Sequence, residues 1–220
     1  PLLMSAAPEK LAALRHLLAE RFPTSSTGLK ACRSLPTGIP ALDNLSGGLP
    51  LGAVTEVVCA APSCGGHLFV QQLLAVTRRA NQRAALIDSV NSFDPTSYPA
   101  DLLAHLLWVR CLRPADALPA ADLLARDANL GLVVLDLRHA AESTLRRTPP
   151  TFWYRLQRAV ESTDLALVIE TPRPSIPSAQ LRLLLNVSHE LSVLERERSF
   201  LTAQCIPVVQ RQRLPTAAAG

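Results

Sequence analysis

Apolar runs alternate with segments of helical periodicity along the middle of the chain. Short runs rich in Val, Ile, Leu and Ala predict strands, and they lie at residues 53–58, 83–88, 108–112, 131–136 and 164–170. The segments between them predict helices, which lie at residues 66–80, 99–107, 114–128 and 150–162. Because strands that alternate with helices form parallel sheets, the pattern predicts an α/β fold. We expect a mostly parallel, twisted sheet with helices on both faces.

The end of this pattern has a different character. Residues 181–194 and 200–210 carry no helical signal between them and predict two antiparallel strands. The polar sequence ERERS at 195–199 predicts the hairpin turn that joins them. The sheet is therefore expected to end in an antiparallel extension.

The first segment predicts an amphipathic helix at residues 8–22. Its apolar face consists of Leu11, Leu14, Leu17, Leu18 and Phe22. The helix either packs on its own domain or docks on a neighbouring chain, because a short helix on a flexible linker often joins partners. We predict three segments: this helix and a linker at 1–29, a core domain at 30–213 and a flexible tail at 214–220.

The composition is that of a globular protein with a small excess of positive charge. The chain has 220 residues and a formal net charge of +4; two of its 22 basic residues are lysines, and the other 20 are arginines. No apolar run approaches the ~20 residues of a membrane span. The five cysteines are scattered without a CxxC pair. We therefore expect a reducing, cytoplasmic compartment and no metal site.

One long motif carries a specific resemblance. Residues 37–58 read TGIPALDNLSGGLPLGAVTEVV: a short helix, a glycine turn and a β-branched strand. The motif resembles the segment that precedes the phosphate-binding loop in the RecA-like ATPases. The resemblance implies a RecA-like core over about residues 30–210 and a phosphate loop directly after Val58.

The loop that follows departs from the pattern of that family. The resemblance places Cys59 and Cys64 where the two glycines of the loop stand, Gly65 where the lysine stands and Gly66 where the hydroxyl ligand of magnesium stands. The lysine supplies the charge that attracts the phosphates, and the hydroxyl completes the metal shell. We expect neither ATP hydrolysis nor a nucleotide cofactor.

Two further positions of the family can be compared. Val90 stands where the resemblance implies a glutamate that orients the attacking water, and a valine cannot take that role. Asp136, which ends an apolar strand, matches the residual acid of the magnesium shell. Nearby, Asp88 and Asp94 are expected to be turn or cap residues rather than bases.

A cysteine nucleophile is a less favoured alternative at the same loop. A cysteine at a helix N-terminus can be reactive, and His67 is close in sequence to Cys59 and Cys64. No orienting partner is evident from the sequence. We therefore expect no catalytic residue, and we expect the cysteines to be small buried hydrophobes.

In RecA-like proteins the loops after this strand, which ends at Asp136, and the next bind single-stranded DNA, so the resemblance implies DNA contacts in the stretch after Asp136. Arginines lie there among the aromatic sequence FWY at 152–154, and aromatic platforms with basic side chains suit single strands. The candidates are Arg138, Arg146, Arg147, Arg155 and Arg158, with Arg173 in a second loop at 171–178. The alternatives are a protein interface, or a helix that begins at 150 with its rings in the core.

Among RecA-like proteins, the chain resembles the short ImuA and SulA-like group. ImuA-type proteins are accessory factors in bacterial damage-induced mutagenesis, so the resemblance implies an adaptor for an ImuB-like polymerase homologue and an error-prone C-family polymerase. RecA, single-stranded DNA or a second copy of the chain are further expected partners, in a cytoplasmic, nucleoid-associated setting. The alternatives are a DNA-binding recombination mediator, a RecA/KaiC-like ATPase with an unusual loop, or a SulA-type cell-division inhibitor.

Overall fold

The computed structural model describes residues 33–186 and 191–213, except for the side chains of Leu191, Leu194 and Arg198. The predicted helix at 8–22, with its docking residues, and the tail at 214–220 lie outside the described residues. None of the helices described is both long enough and apolar enough to cross a membrane.

The described residues form a layered α/β fold. The strands are β1 Ser34–Leu35, β2 Leu49–Pro50, β3 Ala53–Cys59, β4 Arg83–Asp88, β5 Leu106–Arg110, β6 Leu130–Asp136, β7 Ala166–Thr171, β8 Leu181–Leu185 and β9 Val208–Gln212. The helices are α1 Pro40–Ser46, α2 Gly66–Arg79, α3 Ala100–Leu103, α4 Pro114–Leu124, α5 Glu142–Arg147, α6 Pro150–Val160 and α7 Arg198–Gln204, with 3₁₀ turns at Pro95–Ser97 and Leu191–Glu195.

Seven strands form one sheet in the order β5-β4-β6-β7-β3-β8-β9. All neighbouring pairs are parallel except β8 and β9, which are antiparallel. This confirms the predicted mostly parallel sheet with an antiparallel end. From β3 the chain moves outward to β4 and β5, and from β5 it moves back through β6 and β7 to β8 and β9 on the other side of β3. The direction reverses between β4 and β6, and α/β folds place ligands at the carboxyl ends of strands beside such a reversal.

Helices cover both faces of the sheet, as the apolar strands predict. One face packs against α1 and α2, with Leu42, Phe69 and Leu73 fully buried. The other face packs against α4, α5 and α6, whose largest buried side chain is Trp153. In β6, alternate residues point to opposite faces, and all seven residues are buried. The sheet therefore forms the centre of a single core with two sides.

The motif at residues 37–58 is fixed at its start by a carboxylate and at its turn by a glycine. Asp43 in α1 accepts hydrogen bonds from Thr37 N at 2.8 Å, Thr37 Oγ1 at 2.7 Å and Gly38 N at 3.1 Å, and so fixes the turn before the helix. Gly48 has φ +96°, and a Cβ there would lie 2.5 Å from the carbonyl oxygen of Leu35. Only glycine fits this crossing of β1 and β2.

The predicted C-terminal hairpin is wrong in its connection. Residues 195–199 do not form a tight turn; a 3₁₀ turn and α7 intervene between β8 and β9. Residues 198–204 form a helix, and Leu201 and Cys205, four positions apart, are both buried. Gln72 of α2 donates to Thr202 Oγ1 at 3.5 Å, so this connection packs along α2.

Two other elements differ from the sequence prediction. The predicted helix at 99–107 is only the four residues Ala100–Leu103, and β5 begins at Leu106 rather than 108. Trp108 of β5 packs edge-on against Phe93, with ring centroids 5.2 Å apart. The helix α5 lies in a segment that the sequence analysis treated as a loop.

Candidate functional site

Three acids end neighbouring strands at the same level of the sheet. Asp88 of β4 is in register with Asp136 of β6, and Asp136 is in register with Glu170 of β7. All three side chains are buried. We call these residues the acid row. It lies at the carboxyl edge of the sheet and spans the reversal between β4 and β6, where the topology predicts a site.

A largely buried arginine contacts two members of the acid row. The guanidinium of Arg138 pairs with Asp136 through Nε to Oδ1 at 3.0 Å and through Nη2 to Oδ2 at 2.5 Å. Its Nε also lies 3.2 Å from Glu170 Oε2. The side chain of Arg138 is 11% exposed, and that of Glu170 is fully buried. This geometry is a bidentate fork with a second acid beside it, the arrangement that suits arginine rather than lysine.

The pKa values of the two acids shift in opposite directions. Burial raises the pKa of Glu170 to about 8, although the charge of Arg138 opposes the shift. Burial also acts to raise the pKa of Asp136, but hydrogen bonds and charge from Arg138 outweigh it and lower that pKa below its usual value. Asp136 therefore carries the negative charge that Arg138 balances, and Glu170 holds a proton at neutral pH.

Asp88 and Asp94 are turn residues, as predicted. Asp88 accepts from the backbone nitrogens of Ser92 at 2.9 Å and Phe93 at 2.8 Å, and so holds the loop after β4. Asp94 caps the 3₁₀ turn at Pro95–Ser97 by accepting from Thr96 N at 3.0 Å. Val90 lies in the same loop and has no group that could orient a water.

The loop between β3 and α2 is tightly packed against distant residues. Ser63 and Gly65 have positive φ values of 57° and 95°. A Cβ at Gly65 would lie 2.8 Å from the sulfur of Cys205. A Cβ at Gly66 would lie 2.9 Å from Arg138 Nη1 and 3.1 Å from Glu170 Oε1. Arg138 thus occupies the space that a side chain at position 66 would need.

A cavity of about 670 Å³ opens beside this loop. Its walls include Cys64, Gly66, His67, Tyr98, Arg138 and Arg196. His67 Nδ1 lies 3.3 Å from the hydroxyl of Tyr98. Burial and then the charge of Arg138 lower the pKa of His67 to about 4, so the imidazole is neutral at pH 7. Among the described residues, no three or more His, Cys, Asp or Glu side chains are grouped as a metal site.

The six candidate DNA-binding arginines lie in four settings. Arg138 is 11% exposed and lies beside the acid row. Arg146 and Arg173 both pair with Glu142 of α5, which brings together the loops after β6 and β7. Arg155 pairs with Asp122 and stacks over Phe152 at 5.2 Å. In the part of the chain that the structure describes, Arg147 and Arg158 have no ion-pair partner. A DNA contact by these arginines stays a prediction.

The aromatic sequence at 152–154 belongs to the start of α6. Trp153 is 2% exposed and packs in the core, whereas Tyr154 is 48% exposed. Phe152 lies against Trp153 with ring centroids 5.2 Å apart. Tyr154 is therefore the ring of this group with the largest exposed surface. This agrees with the alternative of a helix with rings in the core.

Glu56 is a site residue that the sequence analysis did not assign. It is fully buried in β3, and its Oε1 accepts from Thr171 Oγ1 at 3.0 Å, Ser175 N at 2.6 Å and Ile176 N at 3.1 Å. Its Oε2 accepts from Arg182 Nε at 2.6 Å. The carboxylate thus fixes the loop after β7, which carries Arg173. A charged residue within the apolar strand AVTEVV is the signal in the sequence, but the partners of Glu56 lie more than 100 residues away.

Comparisons with known proteins support a RecA-like relationship. Over 107 residues the chain is 34% identical to protein RecA of Crocosphaera subtropica, which covers 47% of this chain and 30% of that protein. It is 32% identical over 113 residues to protein RecA of Xanthomonas campestris pv. campestris, covering 49% and 32%. Protein RecA of Clavibacter michiganensis subsp. michiganensis is 34% identical over 107 residues, covering 46% and 29%. No family model matches the chain.

The matches therefore span less than a third of the length of these curated relatives. Together with the α/β fold and its mostly parallel sheet, they support the coarse prediction of a RecA-like protein.

Proposed function

We propose that this chain is a non-catalytic RecA-like adaptor in bacterial, DNA-damage-induced (SOS) translesion mutagenesis. Its proposed partners are an ImuB-like polymerase homologue and an error-prone C-family polymerase, with RecA and single-stranded DNA as further partners. The observation that carries the non-catalytic part is the position of Arg138 on the acid row. The similarity to RecA, a protein named for recombination, supports the DNA-repair setting.

The chemistry of the acid row argues against a magnesium nucleotide. A divalent cation needs carboxylates whose charge is available, but Asp136 is already paired with Arg138. A cation near Glu170 would also face the guanidinium, 3.2 Å from that carboxylate. At the loop, Gly66 offers no hydroxyl and has Arg138 Nη1 where its side chain would lie. We therefore propose that the loop is a degenerate phosphate loop retained for its shape.

The test of this part is nucleotide binding and turnover by the purified chain. We expect no ATP hydrolysis above background and no binding at micromolar ATP, with or without magnesium. An active RecA-like protein, assayed in parallel, shows that the conditions support turnover. Turnover above background that Asp136→Ala abolishes would overturn the proposal, and so would micromolar affinity for labelled ATP.

The adaptor role is tested by affinity capture with an ImuB-like protein. The full chain and a variant without residues 8–22 are compared, because the apolar face of the predicted N-terminal helix is the proposed docking segment. We expect the full chain to bind and the shortened chain to bind more weakly. Absence of binding by both forms would count heavily against the mutagenesis setting, whatever the result with ATP.

Binding to single-stranded DNA is proposed at the loops that Glu142 joins. Arg146 is partly neutralised by Glu142, whereas Arg147 is unpaired among the described residues, so Arg147 is free to meet a phosphate. We expect Arg146→Ala/Arg147→Ala to weaken binding and to reduce its salt dependence.

The matched control for this test is Arg78→Ala/Arg79→Ala. These two arginines lie in the last turn of α2, on the other face of the sheet, and Arg78 pairs with Asp101 at 2.7 Å. The control also removes two positive charges, and it changes none of the candidate DNA-binding arginines. If Arg146→Ala/Arg147→Ala binds a labelled single strand as tightly as the control does, these two arginines do not form the DNA site.

A further inference from the structure

The last strand of the sheet, β9, leaves one edge open. It lies at the end of the strand order, and among the described residues β8 is the strand that pairs with it. Gln212 is in register with Leu181, and the next residue, Arg213, donates its backbone N–H to the carbonyl oxygen of Gln180 at 2.8 Å. Since the backbone groups of successive strand residues point to opposite edges, the N–H and C=O of Gln212 point away from β8. This edge can therefore accept a further strand.

A bulge in β9 turns its arginines to one face of the sheet. Val209 is in register with Leu183, but Arg211, two positions later, is in register with the adjacent residue Arg182. The shift leaves Gln210 as an extra residue. Directly paired residues share a face, so Arg211 points to the side of Arg182 rather than to the side of Val209. Val209 packs against the core beside α2, so the bulge keeps the guanidinium of Arg211 out of that core.

Three arginines therefore lie together on the other face of β8 and β9. They are Arg182, Arg211 and Arg213, and we call them the arginine cluster. The Cβ atoms of directly paired residues are about 4.5–5.5 Å apart, and residues two apart along a strand share a face. Val208 lies on the same face, in register with Leu184, and is 49% exposed, so this part of the face is open. Like charges opposite each other destabilise a sheet, and arginine stays charged at neutral pH.

The charges of the arginine cluster are only partly balanced. Arg182 pairs with Glu56 at 2.6 Å. Arg211 donates from Nη1 to the carbonyl oxygen of Pro177 at 3.4 Å, which is a neutral acceptor. In the part of the chain that the structure describes, neither Arg211 nor Arg213 has a carboxylate partner. Burial, and then the charges of Arg213 and Arg182, lower the pKa of Arg211. Two positive charges beside an open strand edge are thus available to an acidic partner.

We propose that the open edge of β9 binds an extended acidic segment of a partner protein. The segment adds a strand to the sheet by pairing with the main chain of β9. Carboxylates at alternate positions of the segment share a face and meet Arg211 and Arg213, which are also two positions apart. The proposal does not rest on the adaptor role, because it involves neither the predicted N-terminal helix nor the loops that Glu142 joins.

The charges on this edge select a partner rather than close the edge. A second copy of the chain that presented its own β9 would bring arginines against arginines, which disfavours that pairing. A nucleic acid would satisfy the guanidinium groups, but it has no peptide main chain to pair with Gln212. The apolar side chains next to the arginines, Val208 and Ile206, are each 49% exposed and suit the side chains of a peptide strand. These features favour an acidic peptide over a nucleic acid.

The test is binding of a fluorescein-labelled peptide to the full chain, measured by fluorescence anisotropy. The peptide has about eight residues in which glutamate alternates with threonine, so that all carboxylates lie on one face of a strand. Threonine favours extended backbone. The same peptide with glutamine in place of glutamate is the control. We expect the acidic peptide to bind about 10-fold more tightly than the control, with a difference that falls as salt is added. The amide proton of Gln212, observed by NMR, should exchange more slowly when the peptide is bound.

Two sets of variants test the arginine cluster. Arg211→Ala/Arg213→Ala should weaken binding of the acidic peptide about 10-fold. The control Arg78→Ala/Arg79→Ala, which also removes two positive charges, should bind as the parent chain does. Arg211→Glu/Arg213→Glu should instead bind a peptide that has lysine in place of glutamate, a gain that an unfolded variant would not show.

Three results would overturn the proposal. The first is equal affinity of the parent chain for the acidic and glutamine peptides, or no binding of either at millimolar concentration. The second is binding of the acidic peptide with unchanged exchange at Gln212, which would exclude pairing with β9. Neither of these depends on whether a variant folds. The third is binding of labelled oligothymidylate that requires Arg211 and Arg213 while peptide binding does not, which would make the arginine cluster a nucleic-acid surface.

Discussion

Glu56→Gln is expected to destabilise the core more than any exposed charge substitution. The carboxylate is fully buried and accepts four hydrogen bonds: one from Thr171 at the end of β7, two from the loop that follows, and one from Arg182. Glutamine has almost the same size. However, its amide group donates where the carboxylate accepts, and it cannot neutralise Arg182, whose side chain is 18% exposed.

The expected loss of stability arises because the charge of Arg182 remains without its partner. Removal of one partner of a buried ion pair costs about 3–5 kcal/mol, since the other charge stays buried without compensation. Hydrogen bonds to a charged acceptor, worth about 1.5–3 kcal/mol each, are weakened in addition but are not independent of that cost. We therefore expect the free energy of unfolding to fall by about 3–5 kcal/mol. For a domain of this size that corresponds to a Tm lower by about 6–20 °C.

The measurement is urea unfolding followed by far-ultraviolet circular dichroism, with a thermal scan as a second readout. Asp164→Asn is the matched control, because it breaks the Arg33–Asp164 pair, whose side chains are 55% and 58% exposed. That variant should lose at most about 1 kcal/mol. Glu56→Gln/Arg182→Met should be less destabilised than the sum of its single variants. If Glu56→Gln is within 1 kcal/mol of the parent chain, the reasoning about this buried carboxylate is refuted.

Two further predictions concern the acid row and the loop beside it. Burial raises the folded-state pKa of Glu170 to about 8, so its contribution to the free energy of unfolding is complete below the usual glutamate pKa and is lost as pH rises towards 8. Glu170→Gln should therefore flatten the pH dependence of the free energy of unfolding between about 5 and 8. Equal slopes of that free energy against pH, from urea titrations of the two proteins, would contradict this. Gly66→Ala should lower stability by about 1–3 kcal/mol, because its Cβ meets Arg138 Nη1 at 2.9 Å and Cys59 Sγ at 3.1 Å. Gly47→Ala is the control for this variant. Nothing lies within 4 Å of a Cβ at position 47, but φ is +72°, so its expected small loss of stability measures the cost of backbone strain alone.

Apolar patterning predicted the central sheet because each strand there is buried on both faces. The strand at 83–88 matches β4 to the residue, and the strand at 131–136 differs from β6 by one residue. Burial on both faces makes a strand apolar throughout, and that signal is local in the sequence. The edge strand β5 was placed two residues late, since its residues are only partly buried and its pattern is weaker.

The C-terminal connection was harder to predict because its signal is short. Helix α7 has seven residues. The four-residue spacing of buried Leu201 and of Cys205, which follows the helix, is the periodic signal that favours a helix over a strand there. The strand β9 that follows has exposed Val208, so alternation there is incomplete. The secondary structure of a segment this short depends on what it packs against, which here is α2.

The charged contacts of the site were beyond sequence reasoning for a different reason. Glu56 and Arg182 are 126 positions apart, and nothing in either segment specifies the other. The sequence analysis predicts a DNA contact for Arg138, which follows Asp136 by two positions. In extended backbone, residues two apart point to the same side, so the pair could meet. In the structure, the two residues at this spacing form an internal ion pair.

The contacts of Gly65 and Gly66 also restrict the evolution of this surface. A lysine at position 65 would be strained at φ +95° and would meet Cys205, and a serine at position 66 would meet Arg138. Each replacement alone is therefore selected against through stability, before any new activity can be selected for. Accommodating both requires changes in the partners too, which lie in distant parts of the chain. Descendants of this chain would more readily acquire new functions elsewhere than a nucleotide site here.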